Sequence, residues 1–253
     1  MPGSPSCTPV LCLATSNTHR SAVVPRDTRD VARLKWQLPV LLSMVAGAVD
    51  VTGFLSLGLF TAHVTGNIVI IAAHLVRGGP PNVPQIVAVP VFILAVAAVW
   101  FIAKLIKSED AAWGRPLLGV QLTLLTCVLI LSVVHRPGLD RKGLIADVTA
   151  MIAVSAMACQ YAFLRLAVPG APSAAVMTGN LTKAVISMLD TLSLHRPLAK
   201  GASEQLTKTM KLIAGFFVGC VAGALAVSWL ADWAWSLPVL LAGIAATLPR
   251  NRF

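Results

Sequence analysis

Residues 37–58 read QLPVLLSMVAGAVDVTGFLSLG, an unbroken apolar run whose one charged side chain is Asp50. About 20 helical residues cross the roughly 30 Å hydrocarbon core of a bilayer, so this stretch is long enough to span. Seven more apolar runs follow, at about 61–77, 85–106, 116–134, 143–167, 173–190, 209–231 and 236–249. Backbone amides in lipid must bond within their own segment, which makes each run a helix. The expected fold is all-α: a polytopic membrane helix bundle of about eight segments.

Composition points the same way. Hydrophobic residues make up 57% of the chain, charged residues 12%, and mean hydropathy is +0.80. A soluble domain carries about a quarter charged residues, and a charge at the bilayer centre costs roughly 2.5–3.5 kcal/mol on insertion scales. The net charge of +10 comes from Lys and Arg at the ends of apolar runs and in the N-terminal tail, as the positive-inside rule expects. A nucleic-acid surface would interleave aromatics with its bases; this chain holds one Tyr, and nucleic acid is excluded as a partner. Its five cysteines lack metal-ligand spacing, so neither a metal nor a cofactor is expected. Residues 1–35 read as a disordered basic tail, and Arg20, Arg26, Arg29, Arg33 and Lys35 place the N-terminus in the cytoplasm.

The chain repeats itself. Phe54-Leu55-Ser56-Leu57 is echoed by Phe163-Leu164-Arg165-Leu166, and Thr65-Gly66-Asn67 by Thr178-Gly179-Asn180. In both places a long apolar run precedes the tripeptide and a short one carries it, with two more closing the half. Two internal repeats are expected, 36–135 and 143–249, forming one integral membrane domain. If every run crosses, the repeats are parallel. If the Thr-Gly-Asn segments are re-entrant there are six crossings and the repeats are inverted, a common transporter plan. With eight crossings the outside holds Lys104, Lys107, Arg115 and Arg165; with six it holds Arg77, Arg136, Arg141 and Lys142. Four basic residues lie outside either way. Eight crossings is the favoured expectation, since short segments still span a thinned bilayer.

Asp50 is the sharpest chemical signal. An intramembrane carboxylate faces the bundle interior or a watery cavity, and by default marks an ion, proton or substrate route; the structural alternative is an Asp that locks helices together. Its counterpart in the second half falls at Cys159 and Gln160, polar but uncharged. In the tripeptides, Gly permits a break while Thr and Asn can cap a helix start. A helix that begins inside the membrane offers free N–H groups and a positive dipole end to a ligand. Equally, Thr and Asn can hydrogen-bond neighbouring helices while Gly lets them approach. His63, two residues before the first tripeptide, suits proton relay, since histidine changes charge near neutral pH; with Val176 at the matching place in the second half, a satisfied interfacial histidine is the favoured reading. Gly215, Gly219 and Gly223 form a small-residue stripe for tight helix packing, within the fold or between protomers. Trp229, Trp233 and Trp235 read as an interfacial belt. No catalytic motif or phosphate loop is present, and an enzyme is not expected.

These residues carry a resemblance. Gly47-Ala48-Val49-Asp50 leading into Phe54-Leu55, with Thr61-Ala62-His63-Val64-Thr65-Gly66-Asn67, resembles the YoaK-type membrane proteins, a bacterial family of unknown function. Ala158-Cys159-Gln160 and Met177-Thr178-Gly179-Asn180-Leu181-Thr182 resemble its second signature, with Cys159 where glycine is commoner. The likeness covers roughly residues 36–249. It implies a multi-spanning protein of the bacterial inner membrane and carries no activity over.

The leading expectation is a small secondary transporter or permease. Its central site, at the repeat interface, would be built from Asp50, Thr65, Gly66, Asn67, Gln160, Thr178, Gly179 and Asn180, and would bind an unknown small solute or ion. A non-transporting scaffold or regulatory subunit, docking through the glycine stripe, is the alternative. The expected partners are the lipid bilayer and a second copy of the chain.

Overall fold

A computed structural model describes residues 26–78, 83–105, 114–136, 143–167, 176–192 and 202–248. The described residues form α1 (Arg26–Leu57), α2 (Val64–Arg77), α3 (Val83–Leu105), α4 (Gly114–His135), α5 (Leu144–Ala167), α6 (Met177–Leu192), α7 (Ala202–Leu230) and α8 (Ser236–Thr247), with a 3-10 turn at Ala231–Trp235 before α8. Each apolar run holds one helix. Five stretches are long and apolar enough to cross a membrane: Gln37–Leu57, Val83–Leu105, Arg115–His135, Leu144–Leu166 and Ser203–Thr247, the last containing both α7 and α8. The protein is an all-helical integral membrane protein. With 14 residues α2 is about 21 Å long, and with 16 residues α6 is about 24 Å, both short of the roughly 30 Å hydrocarbon core.

Of the expected tail, residues 1–25 lie outside the described residues. Arg26–Lys35 are helical, continuous with α1. No Gly or Pro falls between Arg26 and Leu38, so nothing in the backbone stops the membrane helix from extending backwards.

The interior is built on α1 and α5. In each, 61% of the most apolar window is buried, against 11% in α3, so α3 presents its side chains outward. Against α1 lie α7, α8 and α5; against α5 lie α3 and α4; α4 also meets α8, while α2 rests on α3 and α6 on α7. Two contacts fix relative direction. Gly215, Gly219 and Gly223 of α7 face Val40, Met44 and Ala48 of α1 in matching order, so α1 and α7 run parallel. Arg136, just past α4, pairs with Asp232 at 3.6 Å, while Leu122 of α4 approaches Gly243 of α8. Hence α4 and α8 run antiparallel.

The glycine stripe is filled from inside the chain. A Cβ at Gly215 would lie 2.9 Å from the Val40 carbonyl oxygen, one at Gly223 2.9 Å from that of Ala48, and one at Gly219 would meet the Met44 backbone. Gly47 answers from α1, abutting the Phe216 carbonyl. Backbones this close need residues without side chains.

The tryptophan cluster divides. Trp229 and Trp233 are exposed, as a belt requires, but Trp235 is fully buried. The 3-10 turn rotates the chain at Ala231, whose φ is +48°, and carries the Trp235 indole into the core beneath α8.

Candidate functional site

The site forms where α1 ends. Gly58 takes φ +77°, a left-handed cap that glycine adopts without strain, and its N–H donates to the Phe54 carbonyl at 3.1 Å. The chain then folds back along the helix it has just left. Phe60 stacks on Phe54 with ring centroids 4.8 Å apart. Thr61 lies against Gly53, where a Cβ would sit 2.8 Å from its methyl group, and its hydroxyl donates to the Val49 carbonyl at 3.1 Å.

Asp50 meets this returning segment. Its Oδ1 accepts the backbone N–H groups of Thr61 at 2.9 Å, Ala62 at 2.8 Å and His63 at 3.2 Å. Its Oδ2 lies 2.8 Å from Nδ1 of His63. The carboxylate is 5% exposed and every bond it makes is to its own chain. Charge-assisted bonds to backbone N–H groups are among the stronger hydrogen bonds in proteins, so Asp50 pins the turn that launches α2. It also lies where the positive end of the α2 dipole points. The helix-start position that the sequence offered to an external anion is thus occupied by the protein's own carboxylate.

Asn67 closes the same turn from the other side. Its Oδ1 accepts the Phe60 N–H and its Nδ2 donates to the Phe60 carbonyl, both at 2.8 Å. A carboxamide answering both polar groups of one residue mimics a neighbouring strand and leaves neither group orphaned. Gly66 gives room for this, since a Cβ there would lie 2.8 Å from the Phe60 ring. Asn67 sits one turn above His63 yet pairs with Phe60, so the first turn of α2 climbs back the way the chain came. Gln85, in the first turn of α3, donates to the Gly58 carbonyl at 2.8 Å.

The expected site is gathered only in part. Asp50, Gly66 and Asn67 come together, with His63 as a fourth member. Thr65 and Thr178 are exposed and point away from any shared centre. Asn67 and Asn180 are both buried, at 0% and 3% exposure, so within each tripeptide it is Asn, not Thr, that turns inward. Gly179, on α6, lies against Val176. Gln160 belongs to a second polar chain: Gln121 of α4 donates to its Oε1 at 2.7 Å, and its own amide donates to the Leu42 carbonyl at 2.9 Å. Leu42 is two helical turns below Asp50, about 12 Å along α1.

Sequence reasoning missed Gln121 and Tyr161 and underrated His63. His63 was discounted for want of a matching residue in the second half, although a basic ring thirteen positions from a lone buried acid is a natural partner. Gln121 is the one amide inside the run 116–134 and deserved the logic applied to Asp50. Tyr161 is the chain's only tyrosine; it is buried, its hydroxyl has no hydrogen-bond partner among the described residues, and the Asp50 charge reaches it. Thr52 holds a second unpartnered buried hydroxyl. No group of three or more His, Cys, Asp or Glu side chains able to hold a metal occurs among the described residues.

Five helical stretches long and apolar enough to cross a bilayer, packed around buried polar clusters, define a multi-helix membrane protein. The family model described as "Protein of unknown function (DUF1275)" matches residues 38–248, and the chain belongs to that family, the YoaK type whose signatures it carries. No curated protein and no solved structure matches it.

Proposed function

We propose that the protein is a small secondary transporter of the bacterial inner membrane, built from two inverted repeats with six crossings and a cytoplasmic N-terminus. The observation that carries this reading is the turn at Asp50, where a helix starts inside the membrane-spanning region instead of at its edge. Helices that begin there and inverted repeats together characterise secondary transporters, whose solute sites lie at the repeat interface.

Three contacts support inversion over eight crossings. Gln85 at the start of α3 bonds Gly58 at the end of α1. Both lie on one face, so α2 enters and leaves on the same side. The antiparallel run of α4 and α8 is what six crossings require, whereas eight would make them parallel. Gln160 lies near the end of the α5 span and Leu42 near the start of the α1 span; two full-length spans match in depth there only if they run oppositely. The packing also respects a duplication. Exchanging α1 with α5, α2 with α6, α3 with α7 and α4 with α8 turns α1·α7 into α3·α5, α2·α3 into α6·α7, and α4·α5 into α1·α8, all of which are packed pairs. The shared burial of Asn67 and Asn180 follows the same rule.

In this reading the solute meets the protein at the repeat interface, and the groups offered to it are the unpartnered hydroxyls of Thr52 on α1 and Tyr161 on α5. The protein catalyses no reaction and needs no cofactor. The scaffold alternative loses its docking surface, because the glycine stripe is consumed between α1 and α7. The test is a thermal-shift screen of small metabolites and ions on purified protein, followed by flux of each hit in proteoliposomes. A solute that raises the melting point by binding the folded form and then crosses the membrane fits the proposal. A full panel with no stabilising solute, alongside a stoichiometric copurifying partner, refutes it.

A further inference from the structure

Asp50 is poorly arranged to pick up a proton. Three N–H donors converge on Oδ1 and the His63 ring occupies Oδ2. Backbone N–H groups only donate, so an ionised carboxylate suits them; a proton on Oδ1 would face them head-on, and one on Oδ2 would compete with the Nδ1–H of His63. His63 is arranged the other way. With Nδ1–H given to Oδ2, its tautomer is set and Nε2 keeps a free lone pair. No described residue hydrogen-bonds Nε2, and the side chain is 26% exposed while that of Asp50 is 7% exposed. The Phe216 ring of α7 meets the imidazole edge-on at 5.2 Å and holds it from the opposite side.

We infer that His63 is the proton-binding residue of this membrane protein and that Asp50 is its positioning residue, a fixed counter-anion. This rests on the transporter reading above for its purpose, though not for its chemistry. A proton from the aqueous side adds to the Nε2 lone pair and gives an imidazolium; Nδ1–H stays on Asp50 throughout. On release the proton leaves from Nε2 and the lone pair returns. The charge so created faces Asp50 from α1. The other titratable groups around the pair are Cys220 on α7 and Tyr161 on α5, both within reach of the Asp50 charge. His63 also stands immediately before α2, so loading it changes the charge on the turn that holds that helix in place.

The test is nitrogen NMR of histidine-labelled full-length protein in lipid nanodiscs, with the His63 signals assigned from their loss in His63→Gln. At high pH His63 shows one tautomer, protonated at Nδ1. As pH is lowered through the window in which histidines titrate, about 8 to 5, the Nε2 signal converts to that of an imidazolium. A His63 that keeps its neutral tautomer across the whole window overturns the inference. In Asp50→Asn the Nδ1–H tautomer gives way to the Nε2–H one, a readout that mere packing would not move; should that variant not fold, the wild-type titration still decides. The two readings fail separately. A titrating His63 in a protein that moves no solute keeps the proton site and rejects the transporter, and a silent His63 in a protein that moves solute does the reverse.

Discussion

Replacing Asp50 by Ala removes the acceptor of three backbone N–H groups and one imidazole N–H at a residue only 5% exposed. An orphaned buried donor costs about 1–3 kcal/mol, and no lipid or apolar neighbour can replace the carboxylate. Three amides therefore put the loss at about 3–9 kcal/mol, with the lower end applying if the turn relaxes outward. Total stabilities are on the order of 5–15 kcal/mol, so Asp50→Ala sits at the edge of folding. Asp50→Asn keeps the amide acceptor and presents an N–H₂ to His63, which can answer as an acceptor by changing tautomer. Its cost reduces to the charge-assisted part of the bonds, about 1–2 kcal/mol. The assay is SDS titration of the protein in mixed micelles, following tryptophan fluorescence for all three forms. The order wild type, Asn, Ala is expected, with the larger step between Asn and Ala. An Ala variant that resists SDS as well as wild type would mean that the turn does not depend on Asp50.

Three further outcomes are expected. Gly219→Ala drives a methyl into the Met44 backbone and destabilises by about 1–3 kcal/mol through overpacking; Gly119→Ala meets no atom within 4 Å and is neutral or stabilising by about 0.5–1 kcal/mol from helix propensity. The same SDS titration separates the two. Gln160→Leu leaves the Gln121 amide unpaired and removes the second bond to the Leu42 carbonyl, costing about 1–3 kcal/mol, whereas Gln121→Leu with Gln160→Leu recovers part of the loss; strict additivity of the two substitutions would contradict a shared network. Single cysteines at Arg77 and His135 label from outside intact cells with an impermeant maleimide, and cysteines at Lys104 and Arg115 do not. The opposite pattern would restore eight crossings.

The helices were legible because lipid leaves the chain little choice. An apolar run of the right length becomes a helix whatever its neighbours do, and all eight runs from 37–58 to 236–249 hold one. The backward extension of α1 to Arg26 was missed because charged residues outside the bilayer carry no hydropathy signal. At the site, the importance of Asp50 and Asn67 was legible from their rarity in apolar context, but their partners were not. Backbone amides of 60–63 carry no sequence signature, so a carboxylate spent on them looks in sequence like one reserved for a ligand. The tripeptide misled for the same reason. Thr65 and Asn67 both read as cap residues, yet at two positions' separation on a helix they face different ways, and only Asn67 turns inward.

Acceptor-only and mixed polar groups also divide the buried clusters. Asp50 binds the turn beside its own helix, while Gln160 bridges α4 to α1. A carboxylate can gather three amides because it only accepts; a carboxamide must also find an acceptor, and Gln160 finds the Leu42 carbonyl on α1. Exchanging the two therefore cannot conserve both networks. Asp50→Gln would add a methylene where the turn is fitted around the shorter carboxylate, and Gln160→Asp would lose the donor to Leu42 and bury a charge inside the bundle. Were the pair interchangeable, the double exchange would restore stability; because each is fitted to partners of different polarity, it is expected to unfold the protein further than either single change.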